Sequence, residues 1–434
     1  MSISIEFILL LVNIFLWLGP IFNAIRKGIF LPLHPQFMTP LFIIYFIINA
    51  LIQKWLVWML GARVGMLKTT HENLLSHPDY LVLPLIFIAM AAPFYHFGVK
   101  ITSNTMKKST EDRTLLNKNY PVLKPLYETP FIIIGFILSA ICWIPNYLLP
   151  NAGYGTFWTF PLALTSSFLP FMVFKVNKPM GILCFGFSII SGLILKSKAS
   201  FLFPLLPLFF YYSSKVKISS FLSFFKPKFI ITIITFITIS ISLLSIGGFG
   251  RDYVKLLHRD YSFEVFAAII HKAPITGVKN GPVNSWLLAE IKEGIPSIIW
   301  PGKRNSINPA KLVSQEFLPH DYAVQPFTYF NRFLLFAGYY DFGLFGALLS
   351  AFGFGVFYGF LWKKTKDLIY KSGYLWPLFL YITIPTIAVY FITSGGLSYG
   401  LINSGIPALI IFGSLQVSKF ISVTVTRSLP NIKY

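Results

Sequence analysis

Residues 80–98 have the sequence YLVLPLIFIAMAAPFYHFG, which contains no Asp, Glu, Lys or Arg. An α-helix rises about 1.5 Å per residue, so about 20 mainly apolar residues cross a hydrocarbon core about 30 Å thick. Comparable apolar blocks recur along almost the whole chain. The 434 residues are 55% hydrophobic and only 12% charged, whereas a soluble domain carries about 25% charged residues. The pattern predicts an all-α fold, a polytopic transmembrane helical bundle of about eleven spans.

Further blocks on both sides of residues 80–98 are apolar enough to cross a bilayer. They cover residues 5–23, 38–60, 129–149, 157–174, 180–196, 199–213, 229–248, 341–362, 373–393 and 401–420. The block 199–213 is short and contains Pro204 and Pro207. This combination is typical of a broken or re-entrant helix.

The blocks divide the chain into three regions. Residues 1–248 form an N-terminal transmembrane region of about eight spans, and residues 341–434 form a C-terminal one of about three spans with a cytoplasmic tail. Between them, residues 249–340 are too polar to span and too long for an ordinary connection, so they predict one long extracytoplasmic loop. Within this loop, Val254 to Ile270 has an apolar face suited to a short helix.

Basic residues are concentrated in alternate loops, and the net charge is +21. The cations stand in short runs between apolar blocks rather than on one polar domain. This distribution excludes a nucleic-acid partner and is typical of cytoplasmic loops that face anionic lipid. The positive-inside rule then places the N-terminus outside and the C-terminus in the cytoplasm. The basic loops contain Arg26, Lys27, Lys100, Lys107, Lys108, Arg113, Lys118, Lys124, Lys175, Lys178, Lys215, Lys217, Lys226, Lys228, Lys363, Lys364, Lys366 and Lys371.

The long loop carries a cluster of cations of its own. Arg251, Lys255 and His258 share one face of a helix, with Arg259 beside them. Such a stripe is suited to clamp a diphosphate through charge-assisted hydrogen bonds. The alternative is a solvated face, in which neighbouring carboxylates such as Glu264 supply ion pairs.

Three further cationic groups are candidates for anion binding. Lys196 and Lys198 follow an apolar block and precede the proline-broken one, where they either face a polar cavity or snorkel to the interface. Lys303 and Arg304, and separately Arg332, either bind an anion or anchor the chain at the membrane surface.

Several side chains of the long loop have the chemistry of a general base, and geometry decides among them. They are Glu264, His271, Glu290, Glu293, His320 and Asp321. The histidine spacings do not form a metal site, and no phosphate-binding glycine loop or nucleophile elbow is present.

Three short stretches and the overall arrangement resemble the Wzy-type O-antigen polymerases, which join polysaccharide repeat units in bacterial envelopes. The stretches are SGLILKSK at 191–198, IPSIIWPGKR at 295–304 and GYYDFGLFG at 338–346. Some members carry an Arg followed by a Gly eleven positions later in two outer loops. Arg332 and Gly343 match this spacing once, and the second copy is absent here.

The resemblance implies a membrane glycosyltransferase of the bacterial inner (cytoplasmic) membrane that takes its donor from a polyprenyl diphosphate lipid, with no cofactor and no metal. The acceptor would be a single lipid-linked repeat unit. Expected partners are the polyprenyl-diphosphate-linked glycan, the lipid bilayer, a chain-length regulator and a flippase. The expected catalytic residues are Arg251, Arg259, His258, Glu264 and Arg332. The expected diphosphate-binding residues are Lys196, Lys198, Lys255, Lys303 and Arg304.

Three other functions stay open at the level of sequence, and one of them is a sensor or assembly scaffold that catalyses no reaction. An O-antigen ligase uses the same donor but passes the glycan to lipid A core, and the sequence does not reveal the acceptor. A lipid or glycan transporter or flippase would be expected to show internal repeats and charged or broken helices near the membrane midplane. No repeat is visible in the chain.

Overall fold

A computed structural model describes the residues that position the candidate site. They are residues 2–27, 29, 31–60, 79–103, 120–142, 144, 159–194, 207–208, 211, 266–267, 269–271, 335–384 and 397–428. Within these ranges helices are the only regular secondary structure. The eight longest are α1 Ser2–Arg26, α2 Pro35–Leu60, α3 Val82–Thr102, α4 Pro125–Ile141, α5 Thr159–Val176, α6 Lys178–Ile194, α7 Phe336–Ser372 and α8 Leu397–Ser428.

Five of these helices, α1, α2, α3, α7 and α8, are long and apolar enough to cross a membrane. The helices α4, α5 and α6 are apolar but shorter in the part of the chain that the structure describes. Large apolar side chains point outward along the long helices. Examples are Phe15 on α1 and Phe420 on α8, each 72% exposed. Lipid rather than water suits such a surface. The protein is therefore a helical membrane protein, as predicted.

The described helices lie where the apolar blocks were predicted, but several extend further. Helix α7 begins five residues before the predicted 341–362 block and ends ten residues after it. Its last turns carry four lysines, which hydropathy assigns to a loop although helix geometry continues to Gly373. Gly373 ends the helix with a φ of 70°, and its N–H donates to the Ile369 carbonyl at 2.8 Å.

Three predicted spans are described only in part or not at all. Residues 376–384 of the 373–393 block are helical, as are residues 207, 208 and 211 of the 199–213 block. The block 229–248 lies outside the described residues. The number of eleven spans and the three-region division stay predictions.

Helices α1 and α3 run in the same direction, held by side chains of α1 that donate to backbone carbonyls of α3. Asn13 Nδ2 donates to Leu85 O at 3.0 Å, and Trp17 Nε1 donates to Ile88 O at 3.1 Å. Polar pairs between helices in a membrane contribute about 0.6 kcal/mol on average and up to about 1.7 kcal/mol. Together with apolar packing, they fix the register of the two helices.

Helices α3 and α7 also run in the same direction, with their backbones in direct contact. Gly355 lies against the Tyr95 carbonyl, and Gly359 lies against Val99 and Thr102 one turn further along both helices. A Cβ atom on Gly355 would overlap that carbonyl. Small residues permit this close approach of membrane helices. Parallel α1, α3 and α7 agree with the predicted alternation, in which the first, third and ninth spans cross in the same direction.

Helix α7 turns sharply at Phe342 and Gly343. Gly343 has φ 63° and ψ −148°, a conformation that essentially only glycine adopts. The short arm before it folds back, so that Gly338 lies against the backbone of Gly346. This elbow brings Tyr339 into the bundle, where its side chain is fully buried.

The core consists of two apolar clusters joined by α7. One contains the inner faces of α1, α2 and α3, the first half of α7 and residues 266, 267, 269 and 270. The other contains α4, α5, the start of α2, residues 375–382 and part of α8. Trp362 of α7 belongs to this second cluster and contacts both His34 and Tyr381.

The parallel helices give the bundle two distinct ends. At the C-terminal ends of α1, α3 and α7, the Leu375 N–H donates to the Pro121 carbonyl at 2.9 Å and joins two basic loops. We call this the basic end. Cations described at this end include Arg26, Lys27, Lys100, Lys124, Lys363, Lys364, Lys366 and Lys371. The opposite end contains the first turn of α3.

Candidate functional site

The first turn of α3 is the centre of a polar cluster at the end of the bundle opposite the basic end. We call it the Glu6 cluster; it consists of Glu6, Lys54, Asp79, Tyr80 and His271. The members come from α1, α2, the start of α3 and the long polar segment. They approach one another because α1 and α2 run antiparallel and α1 and α3 run parallel.

An ion pair between Glu6 and Lys54 joins the first two helices. The side chains are only 5% and 13% exposed, respectively. The Glu6 carboxylate also accepts a hydrogen bond from the backbone N–H of Leu81. No side chain of α3 itself caps this N-terminus, so Glu6 of another helix takes that place. A carboxylate there is favoured by the helix dipole as well as by the lysine.

Asp79 adds a second negative charge on the exposed side of this turn. Its side chain is exposed, and its charge acts on the Glu6 carboxylate. The cluster thus contains two carboxylates, one lysine and one histidine. Ionisable side chains buried within a membrane helix bundle, such as Glu6 and Lys54, are rare and make this cluster a candidate functional site.

His271 docks the long polar segment onto this turn. Its Nε2 lies 2.6 Å from the Tyr80 carbonyl oxygen, and its ring stacks on the Tyr80 ring with centroids 4.6 Å apart and planes 9° apart. Tyr80 is buried, whereas His271 is exposed. Tyr80 therefore holds one face and one edge of the imidazole, while His271 as a whole stays exposed.

Apolar side chains on the preceding turn anchor the same segment in the core. Phe266 and Ile269 are 0% and 1% exposed, and Phe266 packs edge-on against Tyr339 at 5.7 Å. Tyr339 also contacts Phe87 of α3. Both buried residues belong to the apolar face predicted for Val254 to Ile270, and the described residues 266–267 and 269–271 are helical. The elbow of α7, the first half of α3 and the polar segment therefore form one packed unit.

None of the ten site residues predicted from sequence lies in the described ranges. Their contacts are therefore not part of the geometry above, and their roles stay predictions. They are Arg251, Arg259, His258, Glu264, Arg332, Lys196, Lys198, Lys255, Lys303 and Arg304. Among the candidate bases, His271 is described, and it is brought to the Glu6 cluster.

The ion pair itself was not predicted from the sequence. Glu6 and Lys54 are 48 positions apart, each as an isolated charge in an apolar block. One unlike charge in each of two consecutive spans is the signal that could have identified them, because an unpaired charge in such a helix is costly. Tyr80 was assigned to the predicted span 80–98, and Asp79 directly precedes that span.

Neither metal-site geometry nor comparison with known proteins assigns a function to the Glu6 cluster. Within the described part of the chain, no three His, Cys, Asp or Glu side chains are grouped so that they could hold a metal ion. No protein-family model matches the chain, and no match is found among curated proteins or solved structures.

Proposed function

We propose that this protein is a glycosyltransferase that polymerises oligosaccharide repeat units carried on polyprenyl diphosphate. The reaction would take place on the outer face of a bacterial inner membrane and would build a surface polysaccharide such as O-antigen, capsule or exopolysaccharide. In this proposal the chain crosses the membrane about eleven times, with the N-terminus outside and the C-terminus in the cytoplasm.

The observation that carries the proposal is the docking of the long polar segment at the end remote from the basic end. Cations in the loops of the basic end suit the cytoplasmic surface. Residues 266–267 and 269–271 lie against the opposite end, at the Glu6 cluster. A lipid-linked glycan is presented from the outer leaflet, so the segment richest in candidate acids, bases and arginines is attached where such a substrate would arrive.

The predicted cations suit the chemistry of this donor. The acceptor hydroxyl attacks the anomeric carbon of the donor glycan, the new glycosidic bond forms, and the bond from that carbon to the diphosphate breaks. The departing polyprenyl diphosphate gains negative charge, which arginine and lysine side chains stabilise. Arg251, Arg259 and Arg332 are proposed for this role, and Lys196 and Lys198 for holding the diphosphate.

The decisive test is the length of surface glycan in cells that lack the gene, compared with complemented cells. The proposal expects that long polymer disappears while single repeat units remain attached to their final acceptor. Loss of every attached unit, single or multiple, would instead identify a ligase. Accumulation of repeat units on the cytoplasmic side would identify a flippase. Unchanged glycan would contradict all three.

A further inference from the structure

The exposed imidazole of His271 is held in a way that leaves one nitrogen for proton transfer. Its Nε2 lies 2.6 Å from the Tyr80 carbonyl oxygen. A carbonyl oxygen only accepts hydrogen bonds, so Nε2 must carry the proton. In the neutral ring the lone pair is then on Nδ1, on the other side of the imidazole.

This anchor is compatible with both protonation states of the ring. In the imidazolium form Nε2 still donates to Tyr80, and the stacking on the Tyr80 ring persists. A proton can therefore arrive at Nδ1 and leave again without releasing the segment from α3. A histidine serving as an acid-sensitive latch would need an anchor that fails on protonation, which this one does not.

Several charged groups lie on the described elements around His271. Asp79 directly precedes the anchoring Tyr80 and is exposed beside it. Glu6 and Lys54 neutralise each other in a pair behind the same turn. Asp341 follows Tyr339, which packs against Phe266 of the docked segment.

We propose that His271 is the general base of the glycan transfer, an inference that rests on the proposed function. Nδ1 takes the proton from the acceptor sugar hydroxyl as that oxygen bonds to the anomeric carbon of the donor. The carbon–oxygen bond to the diphosphate breaks with its electron pair, and polyprenyl diphosphate leaves. The proton on Nδ1 then passes to water, with Nε2 bound to Tyr80 throughout.

The replacement His271→Gln separates anchoring from proton transfer. A glutamine amide can donate to the Tyr80 carbonyl but cannot accept a proton, whereas His271→Ala removes both abilities. Each variant and the wild type are purified at full length and incorporated into vesicles with the lipid-linked repeat unit. Polymer formation, binding of the lipid-linked donor and the unfolding temperature are measured for each.

The proposal expects His271→Gln to keep donor binding and the unfolding temperature but to lose polymer formation by about 100-fold or more, the contribution typical of a general base. Added imidazole should restore part of the activity of His271→Ala. Activity of His271→Gln within about threefold of wild type, or the absence of imidazole rescue in folded His271→Ala, would overturn the role of His271; the threefold limit is small beside a typical general-base effect. Wild-type protein that makes no polymer would instead overturn the proposed function.

Discussion

The two ends of the helix bundle carry charge in opposite ways. At the basic end, most described cations are exposed on helix ends and loops, as at Lys100 and Lys124. At the other end, Lys54 is nearly buried and paired with Glu6, beside a docked piece of the long polar segment. Exposed cations cost little and set orientation, whereas a buried charge must be matched by a partner that the fold supplies. In the proposed function, the basic end sets the orientation in the membrane and the end with the Glu6 cluster carries the site.

The largest expected effect is on activity, from cations of the long polar segment. Arg251→Ala and Arg259→Ala should each lower polymer formation by about 100-fold or more, because each removes a charge-assisted donor to the leaving diphosphate. The double variant Lys363→Ala with Lys364→Ala at the basic end is the matched control and should make normal polymer. Glycan length on gels and protein level in membranes are the measurements.

A lysine at either arginine position should restore activity only in part, since an ammonium lacks the bidentate geometry of guanidinium. Full-length polymer from both alanine variants would show that the stripe is a solvated face. Equal loss from the control at the basic end would remove the functional difference between the ends.

The second largest expected effect is on the free energy of unfolding. It compares the loss of a paired charge, Glu6, with the loss of a solvated charge, Lys124. Glu6→Ala should destabilise the protein by about 3–5 kcal/mol, because it leaves Lys54 buried without its carboxylate and removes the cap of α3. Lys124→Ala, at an exposed position of the basic end, should change the free energy of unfolding by no more than about 0.5 kcal/mol. Denaturant unfolding in detergent measures both. Equal changes in the free energy of unfolding for the two variants would contradict the distinction between paired and solvated charges.

Hydropathy located the described helices but not the bend in α7. An apolar block must be helical to satisfy its backbone inside a membrane, so the described helices lie on predicted blocks. The reversal at Gly343 depends on one backbone conformation, and apolar residues lie on both sides of it. A pattern of hydrophobicity contains no information about the sign of φ at a single glycine.

Of the Glu6 cluster, only His271 was named as a candidate from the sequence, and none of the contacts within the cluster was predicted. His271 was named as a candidate base from its chemistry, but its contact with Tyr80 spans 191 positions. Glu6 and Lys54 likewise meet only because α1 and α2 form an antiparallel pair. Contacts between distant residues follow from helix packing, which single-sequence periodicity does not determine.

The smallest expected effect is a loss of stability at the packing contact between α3 and α7. These two helices run parallel, and their parallel packing gives the bundle its two distinct ends. Gly355→Ala should cost about 1–3 kcal/mol, since the new methyl group meets the Tyr95 carbonyl backbone. Gly353 lies two residues earlier in the same helix with nothing within 4 Å of an added Cβ. Gly353→Ala is therefore the control and should be near neutral, within about 0.5 kcal/mol. Unfolding of the two purified variants measures the difference, and equal stabilities would contradict close packing at Gly355.

The claim that the ends face opposite sides of the membrane is tested most directly by labelling one residue at each. Cys142 and Cys184 are buried, and a variant with alanine at both positions gives a background without thiols. Into it, Asp79→Cys and Lys124→Cys are introduced separately, both at exposed positions. We expect a membrane-impermeant maleimide to label residue 79 in intact spheroplasts and residue 124 only after the membrane is permeabilised. Labelling of both residues from the same side, or of residue 124 alone in intact spheroplasts, would contradict the account.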